Sequence, residues 1–148
     1  MRIVGVDFGQ RRLGLAVSDA TGMLARPWQA LSAGPSPLAS AESVAVEIAS
    51  LQQVEAAYGT DQAVGAVVVG LPRRLGGEDT GQSQPARDFA RHLAQLTGLP
   101  VHLQDERLSS REAESRLAVR EKNWRRRKEK LDAASAAVIL QDYLDAVH

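Results

Sequence analysis

The stretch that most limits how this chain can fold is residues 4–19, VGVDFGQRRLGLAVSD, which reads as a β-hairpin carrying an acid in its first strand. Ile3, Val4, Val6 and Phe8 are strand formers, and Leu13, Leu15, Ala16 and Val17 begin a second apolar run just beyond residues 9–12. Asp7 sits inside the first run, where a carboxylate is costly to bury unless a positive or hydrogen-bonding group meets it. A divalent cation would satisfy it. Gly5 and Gly9 flank the acid and Gly14 lies in the second strand, so no side chain keeps another backbone or a phosphate away. A tight hairpin whose Asp7 caps its own turn explains the same residues, and a D-x-G triplet alone does not choose between the two.

The rest of the chain reads as strands first and then alternating helices and strands. Residues 23–31 supply a third strand, and Pro27 suggests an edge because it cannot donate to a ladder. Residues 33–40 read as a loop, followed by a helix over 41–58 with Val44, Ile48, Leu51 and Val54 on one face and Gly59 ending it. The run AVGAVVVGL at 63–71 has the look of a central strand covered on both faces. Residues 72–83, with three glycines and two arginines, should form a mobile loop at the end of that strand, where a ligand could bind. A helix over 84–96 presents Phe89, Leu93 and Leu96, Gly98 and Pro100 stop it, and 101–105 is a short strand. Ser109 and Glu112 fit a capping box for a further helix. The Ala-rich helix 133–147 closes the chain, with Ala136, Ile139, Leu140 and Tyr143 sharing a face.

With 148 residues and 44% apolar content, one domain spanning 1–148 is expected. There is no cysteine, so thiol catalysis and thiolate metal sites are excluded, and any metal must be held by oxygen or by the three histidines. His92, His102 and His148 lack ligand spacing and read as structural or exposed. No apolar run approaches the ~20 residues of a membrane span, and the chain enters its first strand without a basic and apolar leader. A cytoplasmic protein with no membrane partner is the expectation. Net charge is zero but unevenly placed: residues 120–130 (REKNWRRRKEK) hold seven basic and two acidic residues, leaving 11 basic and 16 acidic elsewhere. That block fits a polyanion partner, and a solvated charge run accounts for it as well.

Three carboxylate positions can converge. Asp7 lies in the first strand, Asp105 and Glu106 end the last, and Asp132 opens the final helix. Ligands of open sheets collect at the carboxyl ends of parallel strands, and an oxygen-rich site there suits Mg²⁺ or Mn²⁺. Paired ions ~4 Å apart are a recurring device for phosphodiester hydrolysis. Each acid also has a plainer account: Asp132 as a helix N-cap, and one of Asp105 and Glu106 as solvated or paired with Arg107, since strand alternation sends them to opposite faces.

The runs GVDFGQRRLGLAVSD, VVVGLP, QDERLSSREAE and KLDAASAAVILQDYL, in this order and spacing, resemble the YqgF (RuvX) family, and the resemblance covers nearly the whole chain. That family is similar to the RuvC junction resolvases within the ribonuclease H-like superfamily, and its members are described as Holliday junction resolvases or pre-16S rRNA nucleases. The resemblance implies that Asp7, Glu106 and Asp132 are the catalytic acids, and it alone prefers Glu106 to Asp105. The chain departs from the pattern in having Ser109 and Ser110 where threonines are common, and in the basic Arg73 and Arg74 after G-L-P. It has Ser135 where the related resolvases carry a further acid, which leaves the metal count open.

The resulting expectation is an α/β, ribonuclease H-like fold: a five-stranded mixed sheet flanked by helices, its first three strands an antiparallel meander and the other two parallel to the first. Its function would be metal-dependent hydrolysis of structured nucleic acid, with water as nucleophile and Asp7, Glu106 and Asp132 holding Mg²⁺ or Mn²⁺. Arg11, Arg12, Arg73, Arg74 and the 120–130 segment, including Arg125, Arg126 and Arg127, would hold phosphates, while Trp124 in a charged loop could stack on a base. An RNA precursor is the first choice of substrate and branched DNA the second. A non-catalytic nucleic-acid adaptor is the alternative from another class, and a homodimer is left open. An ATP-binding module of the sugar-kinase or actin type would need a second, similar domain to close over the nucleotide, for which this chain has too little length.

Overall fold

The computed structural model describes residues 1–57, 63–105 and 124–148. Five strands, β1 (Arg2–Phe8), β2 (Arg12–Ser18), β3 (Ala25–Ser32), β4 (Val64–Leu71) and β5 (Val101–Asp105), form one sheet in the order β3-β2-β1-β4-β5. β1, β2 and β3 pair antiparallel, while β4 and β5 run parallel to β1. The antiparallel meander of the first three strands, with the other two parallel to the first, is the arrangement expected from the sequence. Helices α1 (Pro37–Ala57) and α2 (Ser83–Thr97) cover one face and α3 (Trp124–Val147) the other.

Strand alternation explains the two layers. Val4, Val6 and Phe8 of β1 join Leu13, Leu15 and Val17 of β2 beneath α1 and α2, where Val44, Ile48, Phe89 and Leu93 complete a buried cluster. Ile3, Ala16, Ala66 and Val68 face the other way, onto Ala136, Ile139, Leu140 and Leu144 of α3. Small residues, Ala16, Ala66 and Ala136 among them, let the second layer close up. A Cβ on Gly5 would stand 2.8 Å from Leu140 Cβ and 3.2 Å from the Ala136 carbonyl oxygen, so α3 lies directly on the strand.

Several boundaries differ from expectation for local reasons. β3 starts at Ala25 because Asp19 Oδ1 accepts the Met23 and Leu24 N–H groups at 2.9 and 3.0 Å, drawing both into a turn. Pro27 does lie on the sheet edge, beside a bulge that leaves Trp28 without a partner on β2. α1 begins earlier than expected: Pro37 takes its first position, and Ser36 Oγ caps it by accepting the Ala39 N–H at 3.1 Å. Val54 is 52% exposed, so the buried stripe of α1 stops short of it. Leu96 is likewise exposed, and Ala86 and Ala90 take the buried places beside Phe89 and Leu93 on α2. Gly98 ends α2 with φ +69°, donating its N–H to the Ala94 carbonyl. Gly59, Ser109, Ser110 and Glu112 fall outside the described residues.

Two corrections bear on function. The connection 72–82 is fastened rather than loose: Arg87 donates to both Asp79 carboxylate oxygens at 2.6 and 2.9 Å, Arg73 bridges to Asp79, and the Ser83 hydroxyl donates to the Pro72 carbonyl. Residues 124–130, expected as a charged loop, belong to α3, so Asp132 stands in the third turn of a helix and is not its N-cap. Lys, Arg and Glu are strong helix formers, and a highly charged run is compatible with either state.

Candidate active site

The site is built at the sheet end where β1 and β4 finish and β2 begins. Asp7 is the penultimate residue of β1, half-buried, and its position alternates onto the α3 face with Ile3 and Gly5. Its cross-strand partner on β2 is Gly14. A Cβ on Gly14 would come within 1.9 Å of the Asp132 carbonyl oxygen and 2.4 Å of its carbonyl carbon. The backbone of α3 at Asp132 therefore seats on the glycine paired with Asp7, which puts both acids on one face at one end of the sheet. Only a residue without a side chain permits that approach.

Arg12 opens β2 on the same face, two residues from Gly14, and its Nε lies 3.1 Å from Asp132 Oδ2. That oxygen is shielded from solvent, and the contact is an ion pair that lacks hydrogen-bond alignment. The two side chains are about a quarter exposed, at 27% and 25%, so the guanidinium offsets the negative charge gathered beside Asp7 at a position water still reaches.

Asp105 pairs in register with Leu71, whose side chain belongs to the α1 and α2 face. Its parallel register therefore sets it on the side of the sheet away from Asp7. Glu106 lies outside the described residues, and among those described no three His, Asp or Glu side chains are grouped closely enough to hold a metal. Ser135, one turn beyond Asp132, is buried. The histidines stand elsewhere: His102 stacks on Tyr143 with ring centroids 5.5 Å apart, and His148 Nε2 meets the Gly22 carbonyl at 3.0 Å.

The arginines divide. Arg11, in the β1–β2 turn, and Arg74, in the 72–82 connection, are exposed at the same sheet end as Asp7. Arg73 is committed to Asp79, Nε to Oδ1 being 3.9 Å, and Arg12 to Asp132. Trp124, Arg125, Arg126 and Arg127 start α3. The Asp79 clamp and the Arg12–Asp132 pair have no signal in the sequence, where Asp79 lies in a glycine-rich run without periodicity and nothing links Arg87 to it. Within the clamp, the Arg87 hydrogen bonds hold the Asp79 carboxyl below its ordinary range and raise the Arg87 guanidinium above its own.

Comparison with known proteins adds a second line of observation. The family model described as RuvX: Holliday junction resolvase matches residues 1–146. A protein of Anaeromyxobacter sp. (strain Fw109-5) is 41% identical over 148 residues, covering 100% of this chain and 99% of its own length. One from Moorella thermoacetica is 37% identical over 145 residues, covering 98% of this chain and 95% of its own. Both carry the provisional name of pre-16S rRNA nuclease. Among solved structures, T. thermophilus RuvC in complex with a Holliday junction substrate aligns over 99% of this chain and 95% of its own, with 19% identity and a TM-score of 0.48.

Proposed function

We propose, for a chain that belongs to the RuvX family of Holliday junction resolvases, that it is a divalent-metal-dependent nuclease acting on the precursor of 16S rRNA. The observation that carries the metal-site reading is the seating of Asp132 on Gly14, across from Asp7. Two carboxylates held on one face suit a hard cation, and the absence of cysteine leaves only oxygen and imidazole donors, with no histidine at this end of β1. Asp7, Asp132 and Glu106 would hold Mg²⁺ or Mn²⁺. Such an ion, when bound, lowers the pKa of water and offsets charge on the phosphate.

The remaining steps fall to the protein's own groups. Arg12 fixes the Asp132 carboxylate by its ion pair, so the acid meets the substrate already oriented. Arg11 and Arg74, exposed on either side of the β1 end, take neighbouring phosphates, for which arginine's planar fork is suited. Arg73, tied to Asp79, shapes the connection that presents Arg74. Water attacks the phosphorus and the sugar oxygen on the far side leaves.

The relatives' names favour RNA, whereas the family description favours branched DNA, and one assay compares them. Wild type with Mg²⁺ or Mn²⁺ should cleave a precursor 16S rRNA fragment faster than a four-way DNA junction, and Asp7→Asn should cut the rate by about a hundredfold or more while still binding (~2.7 kcal/mol in barrier). Unchanged cleavage by Asp7→Asn would remove Asp7 from the chemistry. Binding by wild type without cleavage of either substrate would favour the adaptor reading.

A further inference from the structure

On the other side of the β1 end from Asp7, a cavity of about 360 Å³ opens between the β1–β2 turn and the first turns of α1 and α2. Its walls include Phe8, Gln10, Pro35, Ser36, Pro37 and Pro85. We propose that this cavity is a subsite for one unpaired nucleobase next to the scissile phosphate, an inference that rests on the nuclease reading above.

Its chemistry favours a neutral ring over the phosphate itself. Among the described residues, no charged side chain lines it. Three of its residues are prolines and have no N–H to offer, while the Gly34 N–H is spent on Ser40 Oγ at 2.9 Å and the Ser40 N–H on the Ser36 carbonyl at 3.0 Å. The side-chain donors at its walls, the Ser36 and Ser40 hydroxyls and the Gln10 amide, are uncharged. A flat, neutral ring would find apolar proline faces, and a base made firm by Phe8, which packs on Phe89 with ring centroids 4.9 Å apart. Gln10 is exposed at the turn and brings one amide donor and one amide acceptor, the pair that reads a base edge.

Position supports the same occupant. Phe8 directly follows Asp7, and strand alternation sends the two side chains to opposite faces. A nucleotide straddling the β1 tip would thus place its phosphate by the acids and its base in the cavity. The volume lies at the small end of ligand pockets (~300–1,000 Å³), which suits a single base better than a stacked pair.

The test is an abasic scan, read by binding. Short single-stranded RNAs, each lacking the base at one position, are titrated against wild type and Gln10→Ala by fluorescence anisotropy in EDTA, so that no cleavage is needed. Wild type should show one position where the abasic RNA binds about 5- to 150-fold more weakly, the range expected for loss of one stacked base. In Gln10→Ala the penalty at that position should shrink while the others stay unchanged. Binding that is indifferent to every abasic position would overturn the subsite and leave the nuclease reading standing. A penalty unchanged by Gln10→Ala would overturn it too, by placing the sensitive base elsewhere. Failure to bind any RNA, together with failure to cleave, would overturn both.

Discussion

Gly14 shows how much one residue can fix. Gly14→Ala would drive a methyl group into the Asp132 carbonyl, so α3 must shift, and the variant should lose about 1–3 kcal/mol of stability by overpacking. Urea melts would measure it; an unchanged midpoint would mean that α3 does not sit where the site requires. Arg12→Ala separates orientation from stability. Its pair with Asp132 is partly exposed and worth no more than ~1 kcal/mol to folding, yet loss of a carboxylate's supporting partner should lower activity about 10- to 100-fold. A drop in kcat with KM unchanged is the expected pattern. Asp7 and the permissive glycines are legible in the hairpin because an acid among β-branched and aromatic residues is conspicuous. The place of Asp132 is not, since Leu131 and Asp132 look like the start of the apolar helix only while the charged turns before them are taken for a loop.

At the level of elements, β4 is legible because a strand buried on both faces is apolar throughout, whereas the connection after it reads as a loop without partners and holds an ion-pair clamp. Glycine content argues for freedom, but Asp79 gathers Arg73 and Arg87 and closes the connection through pairings that have no sequence periodicity. The clamp carries a pH dependence. The folded-state carboxyl of Asp79 lies below its ordinary value, chiefly through the Arg87 hydrogen bonds, so the aspartate binds protons less readily folded than unfolded. Its stabilising effect is therefore complete above the ordinary aspartate range (~4) and is lost as pH falls through the lowered value. Amide exchange at Arg74 and Gly77, whose N–H groups close the turn at 2.8 Å to the Glu78 and Arg74 carbonyls, should quicken in acid relative to the sheet. In Asp79→Asn that exchange should already be fast at neutral pH and no longer respond to acid. Equal protection in the two proteins would show that the turn stands without the clamp.

Across the whole molecule, neutrality conceals a division between a +5 segment at 120–130 and a chain that is −5 elsewhere. Its acids include the pair at the candidate site, whose charge works against a nucleic acid, so a basic surface nearby would favour its approach. Residues 124–130 belong to the same helix that carries Asp132, so binding there would be transmitted to the site through one rigid element rather than through a loop. Replacing Arg125, Arg126 and Arg127 by alanine should accordingly weaken RNA binding and flatten the plot of log affinity against log salt, by about 0.7–0.9 for each phosphate that is no longer neutralised. Trp124→Ala should weaken single-stranded or branched substrates more than plain duplex and leave the slope alone, because stacking releases no counterions. Anisotropy titrations across a salt series measure both effects. A triple variant with the wild-type slope would remove the start of α3 from the binding surface and leave Arg11 and Arg74, at the strand ends, to carry the phosphates.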